Sequence, residues 1–135
     1  MEKSAKIMGA IIGDTIGSTY EFNPTKDYNF SLYNDEMDYT DDSIMTIAVA
    51  DWILNDSYLS PENLAQTMRR YGNQYFHPKG GYGHLFSEWL TRSDMKAYNS
   101  WGNGAAMRVS AIGFAFSTLE ETLKVAEISS AVTHN

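Results

Sequence analysis

The sequence has no cysteine, which excludes disulfide bonds and metal sites built from thiolate ligands. It also has few basic residues, since 10 lysines and arginines stand against 17 aspartates and glutamates and the formal charge is −7. This charge disfavours binding of nucleic acid or of an anionic membrane through a broad basic surface. A cation or a small ligand is the favoured partner, and oxygen ligands are the main remaining option for a metal site.

Long hydrophobic runs are absent as well. The apolar stretch near the amino terminus covers only residues 7–12 before Gly13 and Asp14, which is too short for a signal-peptide core or a membrane span. We therefore expect a soluble, cytoplasmic protein. With 135 residues, 43% of them hydrophobic, the chain is long enough for one domain with a core and too short for two.

No stretch alternates apolar and polar residues over a useful length, so no strand is predicted and the expected fold is all-α. A single domain is expected over residues 1–135, without repeats or linkers. Predicted helices or helical runs cover residues 4–17, 44–55, 61–75, 84–91, 105–116 and 119–132. Residues 44–55 are apolar on almost every side, which predicts the central, buried helix. In the first helix Gly9, Gly13 and Gly17 share one face, so that another helix or a ligand could lie beside the backbone.

Thr40, Asp41, Asp42 and Ser43 stand directly before the predicted central helix. A hydroxyl residue followed by acids is typical of a helix start, where the hydroxyl accepts a hydrogen bond from a first-turn amide and the acids complement the helix dipole. Clustered carboxylate and hydroxyl oxygens are also what hard divalent cations bind. The residues alone leave both interpretations open.

Two further acids precede this cluster. Asp14 lies in an apolar, glycine-rich helix, where it is either a buried carboxylate satisfied by backbone amides or part of a site. Glu21 falls at a junction between helix and loop, because Pro24 disfavours helix before it. It is within reach of the acidic cluster, or it is simply a solvated loop acid.

A second unusual stretch covers residues 98–108. Gly102, Asn103 and Gly104 precede a small, apolar run, so that first-turn amides could bind an anion there. Turn and cap chemistry explains the same residues equally well. The glycine-rich loop at residues 77–83 lacks the P-loop pattern and does not predict a phosphate site.

Five blocks, taken together, resemble the ADP-ribosylglycohydrolase family, which includes the dinitrogenase reductase-activating glycohydrolases. They are residues 9–17 (GAIIGDTIG), residues 21–22 (EF), residues 40–43 (TDDS), residues 102–108 (GNGAAMR) and residues 133–135 (THN). The resemblance implies a compact orthogonal bundle of helices. It also implies a hydrolase that binds two Mg²⁺ or Mn²⁺ ions and cleaves ADP-ribose from an acceptor such as a modified protein.

The resemblance also assigns roles by matching position. It implies metal ligands at Thr40, Asp41 and Asp42, an acid near the scissile bond at Glu21, and a structural acid at Asp14. It implies contacts to ADP-ribose from Ser100, Trp101, Gly102, Asn103, Gly104, Met107 and His134, with Trp101 near the adenine. The hypothesis for the mechanism is metal-assisted hydrolysis in which a carboxylate handles the proton.

One departure from the family pattern concerns the second half of the domain. Members of the family are about twice as long and carry a second metal-binding segment of the form Gly-x-Asp-x-Asp-Thr, which this sequence lacks; its only aspartate after residue 60 is Asp94. We therefore expect a truncated bundle that corresponds to the N-terminal half. We also expect a homo-oligomer or a complementary second half, because the missing half should leave an apolar face exposed. The alternative function is a non-catalytic module that binds ADP-ribose or another protein.

Overall fold

The computed structural model describes residues 3–134 and shows seven helices over that range. Their bounds are α1 Lys3–Gly17, α2 Asp41–Asn55, α3 Pro61–Gln74, α4 His84–Thr91, α5 Gly104–Met107, α6 Ser110–Ala115 and α7 Leu119–Ala131. Within the described residues the only extended pairing is one isolated parallel bridge between Thr40 and Lys79. The predicted all-α fold is confirmed. Residues 1, 2 and 135 of the expected domain, including the last residue of the final motif, lie outside the described residues.

Hydroxyl residues begin three of the helices, because a hydroxyl oxygen at a helix start can accept a hydrogen bond from a first-turn amide. Thr40, Ser60 and Thr118 each accept a hydrogen bond at 3.2 Å from a first-turn amide of α2, α3 and α7 respectively. Pro61 occupies the first turn of α3, where its missing N–H costs no hydrogen bond. These caps satisfy amides that would otherwise have no partner at the helix start.

The core forms around α2, which is the central helix that its all-round apolar sequence predicts. It packs against α1, α3, α5 and α6. The large side chains with less than 2% exposure include Met45, Val49 and Trp52 of α2, Leu64 and Met68 of α3, Trp89 of α4 and Ile112 of α6. Because α2 is held on several sides, the residues at its amino terminus have a fixed place in the fold.

The apolar run at residues 105–116 forms two short helices, α5 and α6, in place of one. The chain turns at Arg108 and Val109, and the Arg108 side chain is 1% exposed. This guanidinium donates hydrogen bonds to Gly104 O and to Ser129 O, on α5 and α7. The break therefore lets a buried arginine connect the two helices. Across the described residues, no helix has the length and hydropathy needed to cross a bilayer.

Candidate active site

Asp14 of α1 binds the amino terminus of α2. Its Oδ2 accepts hydrogen bonds from Thr40 N at 2.9 Å, Ser43 N at 3.2 Å and Ser43 Oγ at 2.5 Å, and its Oδ1 accepts one from Thr40 Oγ1 at 2.6 Å. Two of the four donors are backbone amides at a helix start, which need acceptors. Asp14 therefore joins two helices through a half-buried carboxylate, in agreement with the structural role expected of it.

Thr40 is buried, and its hydroxyl forms hydrogen bonds with both α1 and α2. It donates its hydrogen to Asp14 and accepts from Asp42 N at 3.2 Å. The capping interpretation is thus confirmed for Thr40. A hydroxyl oxygen has two lone pairs, so one remains available to another partner.

Asp41 and Asp42 lie in the first turn of α2 and belong to none of the ion pairs in the described part of the chain. Burial, the neighbouring Asp42 and, more weakly, Glu21 and Asp14 raise the pKa of Asp41 to about 6. The pKa of Asp42 is raised by burial and by the charges of Asp14 and Glu21. Asp41 and Asp42 thus lie near two further carboxylates, whose charges oppose their ionisation.

Glu21 reaches this region from the segment that follows α1. It is exposed, and the turn formed by residues 78–81 lies against it. Gly80, at φ +80°, has its missing Cβ position 3.0 Å from Glu21 Oε2 and 3.3 Å from the Phe22 ring. A hydrogen bond of 3.2 Å from Lys79 N to Tyr39 O fixes the same turn beside Thr40. The sequence predicts a glycine-rich loop at this place but not its proximity to Glu21.

An acidic groove of about 460 Å³ opens on one side of the α2 amino terminus. It is lined by the glycine face of α1 and by Asp14, Glu21, Thr40, Asp42, Asn103 and Met107, among others. A Cβ atom added at Gly9, Gly13 or Gly17 would meet nothing within 4 Å. Within the described residues, no helix packs against the glycine face of α1, and that face opens onto the groove.

An aromatic cavity of about 350 Å³ opens on the other side of the same helix start. Its lining includes Asp41, Met45, Leu85, Phe86, Tyr98, Ser100, Trp101, Gly102, Asn103, Gly104, Met107 and Arg108. Asn103 and Met107 line both cavities, so the two spaces adjoin at α5. Asp41 faces one cavity and Asp42 the other, because consecutive helical residues point in different directions.

The structure brings most of the predicted site residues together. Glu21, Thr40 and Asp42 share the acidic groove, and Asp41 lies beside them on the aromatic side. Six of the seven residues assigned to ADP-ribose line the aromatic cavity, namely Ser100, Trp101, Gly102, Asn103, Gly104 and Met107. The seventh, His134, lies behind the loop and contacts Gly102 O through Nε2 at 3.1 Å. Leu85 and Phe86 of α4 line the cavity although sequence analysis assigned them no role.

The carboxylate and hydroxyl groups of the acidic groove are the type of ligand that a hard cation prefers, but they are too few to hold one. All of them offer oxygen atoms, the preferred ligands of Mg²⁺ and related ions. In the described part of the chain, however, no three His, Asp or Glu side chains form a group that could hold a metal ion. The described residues therefore do not form a metal site by themselves, and the metal-ligand roles of Thr40, Asp41 and Asp42 stay a prediction.

The chain matches one family model and several known proteins. A family model described as ADP-ribosylglycohydrolase matches residues 5–135. ADP-ribosylhydrolase ARH3 of Xenopus tropicalis is 31% identical over 95% of this chain and 43% of its own length, and the Homo sapiens protein of that name is 28% identical over the same shares. An uncharacterized protein of Archaeoglobus fulgidus is 28% identical over 95% of this chain and 48% of its own length. The chain spans less than half the length of these relatives.

Proposed function

The chain belongs to the ADP-ribosylglycohydrolase family, and on that premise we propose that it takes part in metal-dependent hydrolysis that releases ADP-ribose from a modified protein or a related acceptor. One observation carries the proposal: an acidic groove and an aromatic cavity adjoin, with Asn103 and Met107 in the wall of both. ADP-ribose has an aromatic base at one end and a reactive ribose at the other, with a diphosphate between them. Two adjoining spaces of these different characters suit such a ligand.

In this proposal the aromatic cavity binds the ADP part. Trp101, whose side chain is 92% exposed, is free to stack on the adenine. The loop from Ser100 to Gly104 lies next to it and offers small residues that a diphosphate can approach closely. The distal ribose would then extend past Asn103 and Met107 towards the carboxylates.

The acidic groove would carry the chemistry. Glu21 is exposed to the groove and would exchange a proton with the attacking water or with the leaving group. Thr40, Asp41 and Asp42 would hold one side of a Mg²⁺ or Mn²⁺ site. Such an ion supplies Lewis acidity towards ribose hydroxyls and water. We propose that the remaining ligands come from polypeptide outside the described residues.

Release of ADP-ribose from an ADP-ribosylated protein, followed by chromatography with and without Mg²⁺ or Mn²⁺, tests the function. We expect release that needs the ion and is lost in Asp41→Ala. Asp51→Ala is the matched control, because Asp51 is on the same helix but pairs with Arg70, far along α2 from the groove. Release that survives both chelation and Asp41→Ala would contradict the proposal.

A binding module is the second candidate function. The described residues do not complete a cation site, whereas they form the aromatic cavity by themselves. This difference favours ligand binding without catalysis. Calorimetry with ADP-ribose distinguishes the two functions. Saturable binding without turnover supports the module, and no binding with or without metal would contradict both.

We also propose that a second copy of the chain covers an apolar groove between α1, α2 and α6. The groove measures about 440 Å³ and is lined by Met8, Ile53, Leu54 and Phe114, among others; Met8 is 51% and Leu54 82% exposed. An exposed apolar face of this kind drives association, and a second copy of the chain presents the same apolar face. Light scattering should show a homo-oligomer that Leu54→Lys converts to monomer. A monodisperse wild-type monomer at micromolar concentration would contradict this.

A further inference from the structure

We infer that Thr133 is a positioning residue for the loop from Ser100 to Gly104, acting through a chain of hydrogen bonds that joins Arg108, Thr133, His134 and Gly102. The inference rests on the proposed function, since this loop lines the aromatic cavity assigned to ADP-ribose. Neither Arg108 nor Thr133 figured among the site residues predicted from the sequence. Both are buried, with exposures of 1% and 0%.

Thr133 contacts the loop directly through its backbone. Its carbonyl oxygen accepts a hydrogen bond from Ser100 N at 3.0 Å. Its hydroxyl oxygen lies 3.0 Å from Arg108 Nη2 and 2.8 Å from His134 Nδ1. Thr133 therefore bonds the first residue of the loop, and it also bonds Arg108 and His134, whose side chains contact later residues of the loop.

Arg108 holds the far end of the loop. Its Nη1 donates to Gly104 O at 3.0 Å, and its Nη2 donates to Ser129 O at 2.5 Å as well as to Thr133. Burial lowers its pKa to about 10. None of the ion pairs in the described part of the chain includes it, so its charge is stabilised by neutral oxygens alone. Losing one of those oxygens leaves a buried cation underpaired, which is costly.

His134 holds the middle of the loop, and the acceptors fix its tautomer. Gly102 O can only accept, so His134 Nε2 must carry the hydrogen across the 3.1 Å contact. In a neutral imidazole Nδ1 is then an acceptor, and the hydrogen between it and Thr133 belongs to the hydroxyl. The hydroxyl oxygen is left free to accept from Arg108. The chain thus runs in one direction, from Arg108 through Thr133 and His134 to Gly102.

Apart from these attachments, Asn103 O accepts the amides of Ala106 and Met107 at 2.9 and 3.0 Å, and Ser100 bonds the Tyr98 side chain. Trp101, Gly102 and Asn103 are exposed, and the hydrogen bond within the loop, from Gly102 N to Ser100 Oγ, is long at 3.3 Å. Two of its five residues are glycines, whose freedom costs entropy when a ligand fixes them. Attachments at Ser100, Gly102 and Gly104 reduce that cost before the ligand arrives. All three attachments pass through Thr133 or through a side chain bonded to it.

Replacing Thr133 with valine or with serine tests the inference. Thr133→Val keeps the shape but removes the hydroxyl, and we expect ADP-ribose to bind about tenfold more weakly in calorimetry because the buried Arg108 and the half-buried His134 each lose a bond. Thr133→Ser restores the hydroxyl and should restore the affinity. Thr122→Val is the matched control, since Thr122 lies on α7 and its hydroxyl bonds Thr118 O at 2.8 Å, away from the loop.

Hydrogen exchange of the Ser100 and Gly102 amides gives a readout that needs no ligand. We expect faster exchange in Thr133→Val and wild-type exchange in Thr133→Ser and Thr122→Val. If Thr133→Val does not fold, His134→Phe offers a second variant at a half-buried position. It removes the hydrogen bond from His134 to Gly102 O and should speed exchange at Gly102. Unchanged exchange in the folded variant would overturn the inference. If the wild type binds no ADP-ribose, the proposed function fails while the exchange rates still decide the role of Thr133.

Discussion

Asp14 Oδ1 lies 2.6 Å from Thr40 Oγ1, and the same carboxylate accepts a hydrogen bond from Thr40 N at 2.9 Å. A side chain of α1 thereby supplies the capping acceptors of α2, together with Thr40 itself. Thr40 accepts the amide of Asp42 and Asp14 accepts that of Ser43, while the Asp41 carboxylate bonds its own amide. Asp41 and Asp42 also line the two cavities that flank the helix start.

Replacing Asp14 by asparagine should destabilise the fold. Asparagine has the same shape, but its amide group cannot accept all four of the hydrogen bonds that Asp14 accepts from Thr40 and Ser43. We expect a loss of about 1–3 kcal/mol in the free energy of unfolding, measured with urea. The control is Asp51→Asn, which breaks an exposed pair with Arg70 and should cost less than about 1 kcal/mol. Equal losses in the two variants would contradict a special role for Asp14.

Asp41 should make stability fall as the pH rises. Its pKa in the folded protein is raised from 3.8 to about 6, chiefly by burial and by Asp42, so the folded state holds this proton more tightly than the unfolded state does. The contribution of protonated Asp41 to the free energy of unfolding is fully present below pH 4 and is lost as the pH passes through about 6. The unfolding temperature of Asp41→Asn should therefore rise relative to wild type between pH 4 and pH 7. A difference that stays constant over this range would refute the electrostatic interpretation.

Gly80 and Gly81 form a matched pair for testing how Glu21 is positioned. Both have positive φ, +80° and +74°, so alanine is strained by a similar amount at either position. Only at Gly80 would the added Cβ crowd Glu21 Oε2, since nothing lies within 4 Å of the corresponding atom at Gly81. We expect Gly80→Ala to lower kcat for ADP-ribose release by about tenfold beyond Gly81→Ala, because small misplacements of reacting groups are costly.

A shorter acid at position 21 offers a control for that comparison. In the Glu21→Asp background the carboxylate is retracted, and the Gly80→Ala change should then cost no more than Gly81→Ala does. If Gly80→Ala and Glu21→Asp instead act additively, the two residues do not interact in the way that their distance indicates.

Trp101 should report ligand binding by fluorescence. The other two tryptophans, Trp52 and Trp89, are 1% and 0% exposed, whereas Trp101 is 92% exposed. Stacking of an adenine on Trp101 should shift its emission to shorter wavelength. Trp101→Ala should weaken ADP-ribose binding by about tenfold, the usual scale for loss of one stacked base. Trp101→Phe keeps an aromatic face and should retain most of the affinity; loss of binding to the same extent in both variants would argue against stacking.

The residues of the site were predicted from short motifs, and their roles were harder to predict. The hydroxyls and acids at 40–43 indicated both a cap and a cation site, and the structure confirms the cap at Thr40 while leaving Asp41 and Asp42 in the walls of the cavities. The metal ions, the acceptor of ADP-ribose and the catalytic role of Glu21 stay predictions. The proximity of Gly80 to Glu21 was not predictable, because it depends on two loops separated by almost sixty residues of chain.

The sequence by itself determined the helical fold, the helix starts at Thr40, Ser60 and Thr118, and the buried central helix, because caps and apolar periodicity act between residues a few positions apart. Tertiary structure decided which side chains of one helix or loop form hydrogen bonds with another. Only the packed fold shows that Asp14 caps a helix 26 positions further on and that Thr133 connects Arg108 to His134 behind the loop. Such contacts depend on distances in space between remote residues, and local sequence patterns carry no record of them.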